Sequence, residues 1–421
     1  MISKKDKRLL IVSYYWLPDE GTGSFRISKF VKYLLQSGWE ITVLTASRSR
    51  GEDQQVPGLK VVRTDKSILQ GESFKVNPSI FYAAKSNWRA RIKVWLRLNL
   101  IIPDAKIFWY PKAVSIGKKL LKDTCYCAVL STAPPPTSSL VANAIARSGN
   151  LPLISDFRDP WTNIYYYEDF PLGRLARYFN NRLERSVLKA SSDIICVNKG
   201  FFPGFEEGNA KLHYISNGFD PDDFGKLKSD VSRRNKKFTV SYFGSLKMNQ
   251  VSPGFLSFIE RIPEDQRSSL RFLFYGNVDQ IARESVLKMV PENLEMVFKG
   301  TVPHDIAVQE MQKSDLLLLL VGMADRSKLV YSTKLFEYLN STVPCLAFGH
   351  EDGAAAQVIK ETNAGLLSSH QQYLPALQFL EECLADWRAG VEVKGAAVEA
   401  LDRFNFKKLS TQLENVILSR I

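Results

Sequence analysis

Short apolar runs without polar alternation recur along this chain, and helix-length amphipathic stretches separate them. RLLIVSYY, from Arg8, precedes SFRISKFVKYLLQSG, which ends at Gly38; ITVLT follows, and later YCAVLST, LPLISDF and DIICVN. After the turn-rich SNGFDPDD and a basic stretch around Arg233 to Lys237, the alternation restarts with FTVSYFG, LRFLFYG, EMVFKG, DLLLLLV and PCLAFG. A strand with no polar face must be covered on both sides, the condition of a parallel sheet carrying helices on each face. Two such series predict an α/β chain of two doubly wound, Rossmann-like domains with a cleft between them. A length of 421 residues suits two domains of about 200 residues each. The boundary is expected near residue 220, and FNFKKLSTQLENVILSRI reads as an amphipathic helix with no strand after it.

Composition narrows the class. Hydrophobic residues at 45% and aromatics at 11% are those of a globular chain. Lys and Arg number 56 against 44 Asp and Glu, a net +12, which favours an anionic partner: nucleic acid, nucleotide or an acidic membrane surface. Nucleic acid is not expected, because no helix-turn-helix, RRM or zinc spacing is present. Cys125, Cys127, Cys196, Cys345 and Cys383 form no C-x-x-C, so free buried thiols in a reducing compartment are expected and a zinc site is not. The N-terminal MISKKDKRLLIVSYYWLPDE reaches Trp16, Pro18, Asp19 and Glu20 without a small-residue cleavage site and reads as a first strand rather than a signal peptide. The longest strongly apolar run, Leu316 to Ala324, is about half of what spans a bilayer. A cytoplasmic chain is expected, with any membrane contact peripheral.

In doubly wound folds ligands sit at the carboxyl ends of the strands. After the first strand comes YYWLPDEGTGSFR, where Gly21, Thr22 and Gly23 permit a tight turn and Ser24 can cap the helix that begins there. Such a turn is either structural or a phosphate site; the dinucleotide fingerprint G-x-G-x-x-G is not met. After LPLIS, the segment DFRDPWTN crowds Asp156, Arg158 and Asp159 into four positions before Pro160 and Trp161. It is either a salt-bridged loop or a site, and three charges directly after a buried strand favour the site. Gly244, Ser245 and Lys247 follow FTVSYF and suit an anion, although a lysine there is also an ordinary surface residue. His304, at a helix start in GTVPHD, reads as a cap or solvated side chain more readily than as a ligand.

The stretch YSTKLFEYLNSTVP, Tyr331 to Pro344, is the most specific. Ser332 or Thr333 opens a helix whose Leu335, Phe336, Tyr338 and Leu339 are apolar or aromatic. Lys334 then lies in the first turn, where the helix dipole disfavours a cation by roughly 0.3–1 kcal/mol. A capping box would need Glu or Gln at Leu335 or Phe336, so Glu337 does not close one, and an i,i+3 pair with Lys334 is worth only about 0.2–0.5 kcal/mol. A phosphate reconciles the placement: the dipole, the amides of residues 333–335 and the Lys334 ammonium converge on it, while Glu337 accepts from the vicinal hydroxyls of a ribose. That combination describes a nucleoside diphosphate.

These pieces, with STAPPPTSSLVANAIA, SNGFDPDDF, FTVSYFGSL and FKGTV, resemble the retaining glycosyltransferases of family 4, of GT-B fold, particularly bacterial members that build exopolysaccharide, capsule or O-antigen. The resemblance runs from about residue 8 to 366, with DFRDPW and KLFEYL its most specific parts. It implies transfer of a hexosyl or N-acetylhexosaminyl group from a nucleoside-diphosphate sugar, UDP- or GDP-linked, to a glycan or polyprenyl-diphosphate-linked acceptor, with no metal and no other cofactor. The C-terminal domain, 221–403, holds the donor: Glu337 on the ribose, Lys334 on the diphosphate, with Gly244, Ser245, Lys247, Val302, Ser332, Thr333 and Leu335 around it. The Gly21–Gly23 loop closes over phosphate and sugar from the domain formed by 1–220, to which the helix 404–421 returns. Asp159 or Asp156 orients or deprotonates the acceptor, and Arg158 helps place them. Two positions depart from the pattern: Leu329 stands where many relatives carry a second glutamate, and Ser245 where an arginine is common. A GT-B epimerase or hydrolase, a non-catalytic basic binding protein and a silent scaffold are the alternatives.

One further stretch has no part in that chemistry. SNWRARIKVWLRLNLIIPDAKIFWYPK, residues 86–112, sets Arg89, Arg91, Lys93 and Arg97 among Trp88, Val94, Trp95 and Leu96. It reads either as a core-packed helix with a basic face or as a contact for an anionic membrane surface.

Overall fold

The apolar runs pair into two all-parallel sheets. The computed structural model describes residues 7–18, 22–46, 55–64, 88–164, 167, 170–206, 208–224, 235–391 and 395–421. The chain divides into two compact units, residues 1–216 with 406–421 and residues 217–405.

In the N-terminal unit the strands are β1 (Arg8–Val12), β2 (Glu40–Thr45), β3 (Leu59–Arg63), β4 (Ala128–Ala133), β5 (Leu153–Phe157), β6 (Asp193–Cys196) and β7 (Lys211–Tyr214). They lie in the order β3-β2-β1-β4-β5-β6-β7. The central strands β4, β5 and β6 are buried at every residue, which is why their sequences carry no polar alternation. The first helix, Thr22–Gln36, starts two residues before the Ser24 cap expected for it, so Ser24 lies inside its first turn. Against this helix packs the Phe406–Leu418 helix, with the Phe406 ring 5.9 Å from Phe25 and 5.5 Å from Phe30. Ion pairs Lys7–Glu414 and Arg420–Asp193 hold its far end.

The C-terminal unit contains β8 (Phe238–Phe243), β9 (Leu270–Tyr275), β10 (Glu295–Gly300), β11 (Leu316–Leu320), β12 (Cys345–Gly349) and β13 (Gly365–Ser369), ordered β10-β9-β8-β11-β12-β13. Apolar clusters cover both faces of this sheet, one around Phe255, Phe258 and Phe272, the other around Leu335, Phe336 and Leu339.

Of the five thiols, Cys196, Cys345 and Cys383 are buried and free as expected, but Cys125 is exposed and Cys127 half-buried. Among the described residues no helix is long and apolar enough to cross a membrane.

Candidate active site

In the C-terminal unit the site grows out of the end of β8. The strand stops at Gly244, whose φ of +99° is left-handed. The strand beside it, β9, and β10 beyond β9 also end at left-handed glycines, Gly276 at +117° and Gly300 at +73°. Three adjacent strands therefore turn off at one edge, with Gly244 N donating to Tyr275 O and Gly276 N to Gly300 O, each at 2.7 Å. Close approach adds to the conformational demand at the first two. A Cβ on Gly276 would stand 2.5 Å from Gly244 O, and one on Gly244 would stand 2.4 Å from Lys334 Cε.

Lys334 reaches that glycine from the helix Thr333–Ser341, which Leu335, Phe336, Tyr338 and Leu339 anchor in the core. Tyr338 fixes the register: its hydroxyl accepts from Phe243 N at 2.9 Å and donates to Leu318 O at 3.2 Å, tying the helix to β8 and β11. Ser332 occupies the cap position, and no side-chain cap bond closes the first turn. Lys334 Nζ lies above the Tyr242 ring, 4.2 Å from its centroid, and donates to the Tyr242 hydroxyl at 2.6 Å and to Ser245 O at 3.3 Å. That hydroxyl in turn donates to Ser245 O at 2.7 Å. Burial pushes the Lys334 amine down to about 7; Glu337 works against this and Lys247 adds to it.

Glu337 does not pair with Lys334. Its Oε1 lies 2.7 Å from His304 Nε2, and the carboxylate is mostly buried, at 15% exposure. His304 is exposed, in keeping with the solvated side chain expected, and it also bonds Glu337. Lys247 and Val302 are half-buried and Ser245 is exposed. Leu329 ends a short 3-10 turn, Asp325–Leu329, that precedes the helix.

In the N-terminal unit the charges of DFRDPW separate. Asp156 is a residue of β5 itself, not of the following loop, and its carboxylate is buried against Arg26, with Nη2–Oδ1 at 3.0 Å. Thr132 Oγ1 donates to it at 3.0 Å, and Arg26 also donates to Ile215 O at 2.8 Å and Ser216 O at 2.5 Å. Asp156 is thus committed to an internal ion pair. Arg158 donates to Ala133 O at 3.3 Å and Pro134 O at 2.7 Å, and burial lowers its pKa. Asp159 makes no hydrogen bond among the described residues. Burial raises its carboxyl above the usual carboxylate range, opposed by Arg158.

Gly21 lies outside the described residues, and of Thr22 only its place at the helix start is described. Gly23 is needed for packing, since a Cβ there would meet Tyr15 Cδ2 at 2.6 Å. Sequence reasoning passed over Arg26, Tyr242, Gly276 and Gly300. The glycines were visible as the last residue of two successive apolar runs, and Tyr242 as the one hydroxyl-bearing ring in FTVSYFG.

No family model matches the chain, and no curated protein matches it by sequence. Solved structures do match in fold. Sucrose-phosphate synthase from Thermosynechococcus elongatus superposes with a TM-score of 0.69 at 13% identity, covering 98% of each chain. HepE from Anabaena, solved with UDP and glucose and also with UDP-glucose, gives 0.65 and 0.64 at 14% identity, covering 98% of this chain and 99–100% of its own. WaaG, a glycosyltransferase of lipopolysaccharide biosynthesis, gives 0.58 at 13% identity, covering 97% of this chain and 99% of WaaG. The two Rossmann-like units have the GT-B fold.

Proposed function

We propose that this chain is a retaining glycosyltransferase of the family 4 type. It moves a hexosyl or N-acetylhexosaminyl group from a nucleoside-diphosphate sugar, UDP- or GDP-linked, to a glycan or polyprenyl-diphosphate-linked acceptor in bacterial cell-surface polysaccharide synthesis. The carrying observation is Lys334: a cation in the first turn of a buried helix, laid across a left-handed glycine at a strand end. Fold relatives solved with UDP and UDP-glucose support the donor class.

In this reading the diphosphate sits where Lys334 Nζ and the first-turn amides converge, with Lys247 nearby. Glu337 accepts from the ribose diol, exchanging part of its hold on His304 for the two hydroxyls. Ser245, Val302, Ser332, Thr333 and Leu335 surround the nucleotide. The bond between the anomeric carbon and the diphosphate oxygen breaks, and its electron pair leaves with the diphosphate. The acceptor oxygen bonds to the same face of that carbon, and its proton passes to the departing diphosphate directly or by way of Asp159. Donors already in place where the charge develops are the largest help such a site gives. Work at the inner face of the plasma membrane, as a peripheral protein, completes the proposal.

A thermal-shift screen of UDP-, GDP-, ADP- and CMP-sugars, followed by product analysis with and without acceptor, tests it. The best donor is expected to stabilise the wild type, and Lys334→Ala to bind it about ten- to a hundredfold more weakly, the loss of a hydrogen bond to a charged group. Stabilisation by none of the four, or near-normal transfer by Lys334→Ala, overturns the reading.

A further inference from the structure

The helix Trp88–Leu100 is turned inside out. It packs through Ala90, Val94 and Leu98, against Phe170. The opposite side carries Trp88, Ile92, Trp95 and Leu96, all exposed, with Trp88 at 66% and Trp95 at 51%. At about 100° per residue these four fall within one stripe about 100° wide, the kind of apolar stripe that ordinarily faces a core. Arg91 flanks it on one side and Arg89 and Lys93 on the other, and the helix holds no carboxylate. The Arg89 guanidinium lies 5.4 Å from the Trp88 ring.

A second helix, Arg174–Ala190, starts beside the end of the first. Asn99 Oδ1 accepts from Gly173 N at 2.7 Å, which joins the end of one helix to the start of the other. Leu175, Tyr178 and Phe179 stand out from it, Leu175 at 75% exposure, among Arg174, Arg177 and Arg182. Its one carboxylate, Glu184, is turned inward to Thr162, whose hydroxyl donates to it at 2.5 Å. Of sixteen large apolar side chains exposed among the described residues, eight lie on these two helices. The stretch singled out in the sequence extended to residue 112, but Trp109 is buried and donates to Thr64 Oγ1 at 2.5 Å. Its aromatic end, Trp109, belongs to the core.

We infer that the Trp88–Leu100 helix and the first two turns of Arg174–Ala190 form one docking face for an anionic phospholipid leaflet. Indoles, phenyl rings and aliphatic tips enter the headgroup boundary while the flanking arginines and lysine meet lipid phosphates. An acidic protein partner would satisfy the cations but gives no reason for two indoles and a leucine to stand so far into water. The inference makes no use of the donor chemistry, and its test contains no nucleotide.

The full chain is floated with vesicles of phosphatidylcholine alone and with equimolar phosphatidylcholine and phosphatidylglycerol. Binding to the second but not the first is expected, with tryptophan emission quenched by brominated lipid. Arg91→Ser with Lys93→Ser should weaken partitioning at least about tenfold, at about 1 kcal/mol per basic residue. Trp95→Ser with Tyr178→Ser should do likewise and abolish the quenching. All four side chains are exposed, so unchanged melting curves are the control for folding. No binding to anionic vesicles, binding indifferent to both double variants, or self-association of lipid-free protein that requires Trp95 without vesicle binding each overturns the inference.

Discussion

Lys334 Nζ rests on Tyr242, 2.6 Å from the phenol oxygen and 4.2 Å from the ring centroid, with no carboxylate bonded to it among the described residues. Burial holds the amine down at about 7. The sign of the resulting pH dependence is fixed. Below pH 7 the free protein already carries the proton, so donor affinity is flat. Above it, binding a diphosphate draws a proton onto Lys334, and affinity falls by up to tenfold per pH unit until the raised pKa of the complex is reached. A nucleoside-diphosphate sugar has no phosphate that titrates near neutrality, so the slope belongs to the protein. Calorimetry in two buffers of different ionisation enthalpy should find close to one proton taken up at pH 8.5 and little at pH 6. Lys334→Arg, charged throughout, should flatten the profile.

Gly244 and Gly300 make a matched pair. Both have left-handed φ, so alanine at either is strained by roughly 1–3 kcal/mol. Only at Gly244 would the new methyl also collide with Lys334, at 2.4 Å from Cε; at Gly300 nothing lies within 4 Å. Gly244→Ala is expected to weaken donor binding more than tenfold in addition to lowering stability. Gly300→Ala should lower stability alone. Titration of both variants with the best donor, beside their urea midpoints, reads the difference; equal affinities would remove the Lys334–Gly244 contact from the account.

What could be read from sequence follows burial. The central strands announce themselves because a doubly covered strand has no polar side, as in DIIC, FTVSYF and LLLLL. Strands β3 (LKVVR), β7 (KLHY) and β13 (GLLSS) went unread; all three are sheet edges, and only the fourth edge, β10, was read, from its apolar EMVFKG. A half-covered edge strand need not be apolar, and it loses the signal with its second neighbour. Lys334 was legible because a cation in the first turn of an apolar helix contradicts its local setting. Arg26 contradicts nothing locally. In SFRISKF it reads as one more charge on an amphipathic helix, and its partner lies 130 residues away. Periodicity locates faces, not the distant residue that a face will meet. The same limit hid Tyr242, which looks like core until Lys334 is laid over it.

The two carboxylates of DFRDPW should part company in the laboratory. Asp156 is buried against Arg26, which also serves the carbonyls of Ile215 and Ser216. Removing one member leaves an uncompensated buried charge, a loss of about 3–5 kcal/mol. Arg26→Met alone is therefore expected to lower the urea midpoint of the N-terminal unit strongly. Arg26→Met combined with Asp156→Leu should recover a good part of that loss, because apolar pairs of similar volume often replace a buried ion pair without penalty. Asp159 is different: it makes no hydrogen bond among the described residues, and burial raises its carboxyl above the ordinary range. Asp159→Asn should leave the midpoint within about 0.5 kcal/mol of wild type, as substitutions that break no packed network do. Its kcat with the best donor and acceptor should fall at least about a hundredfold, in the range for losing a proton-handling group. Full turnover in Asp159→Asn would return Asp159 to the role of a structural loop residue, and a stable Arg26→Met would deny the ion pair its part in the fold.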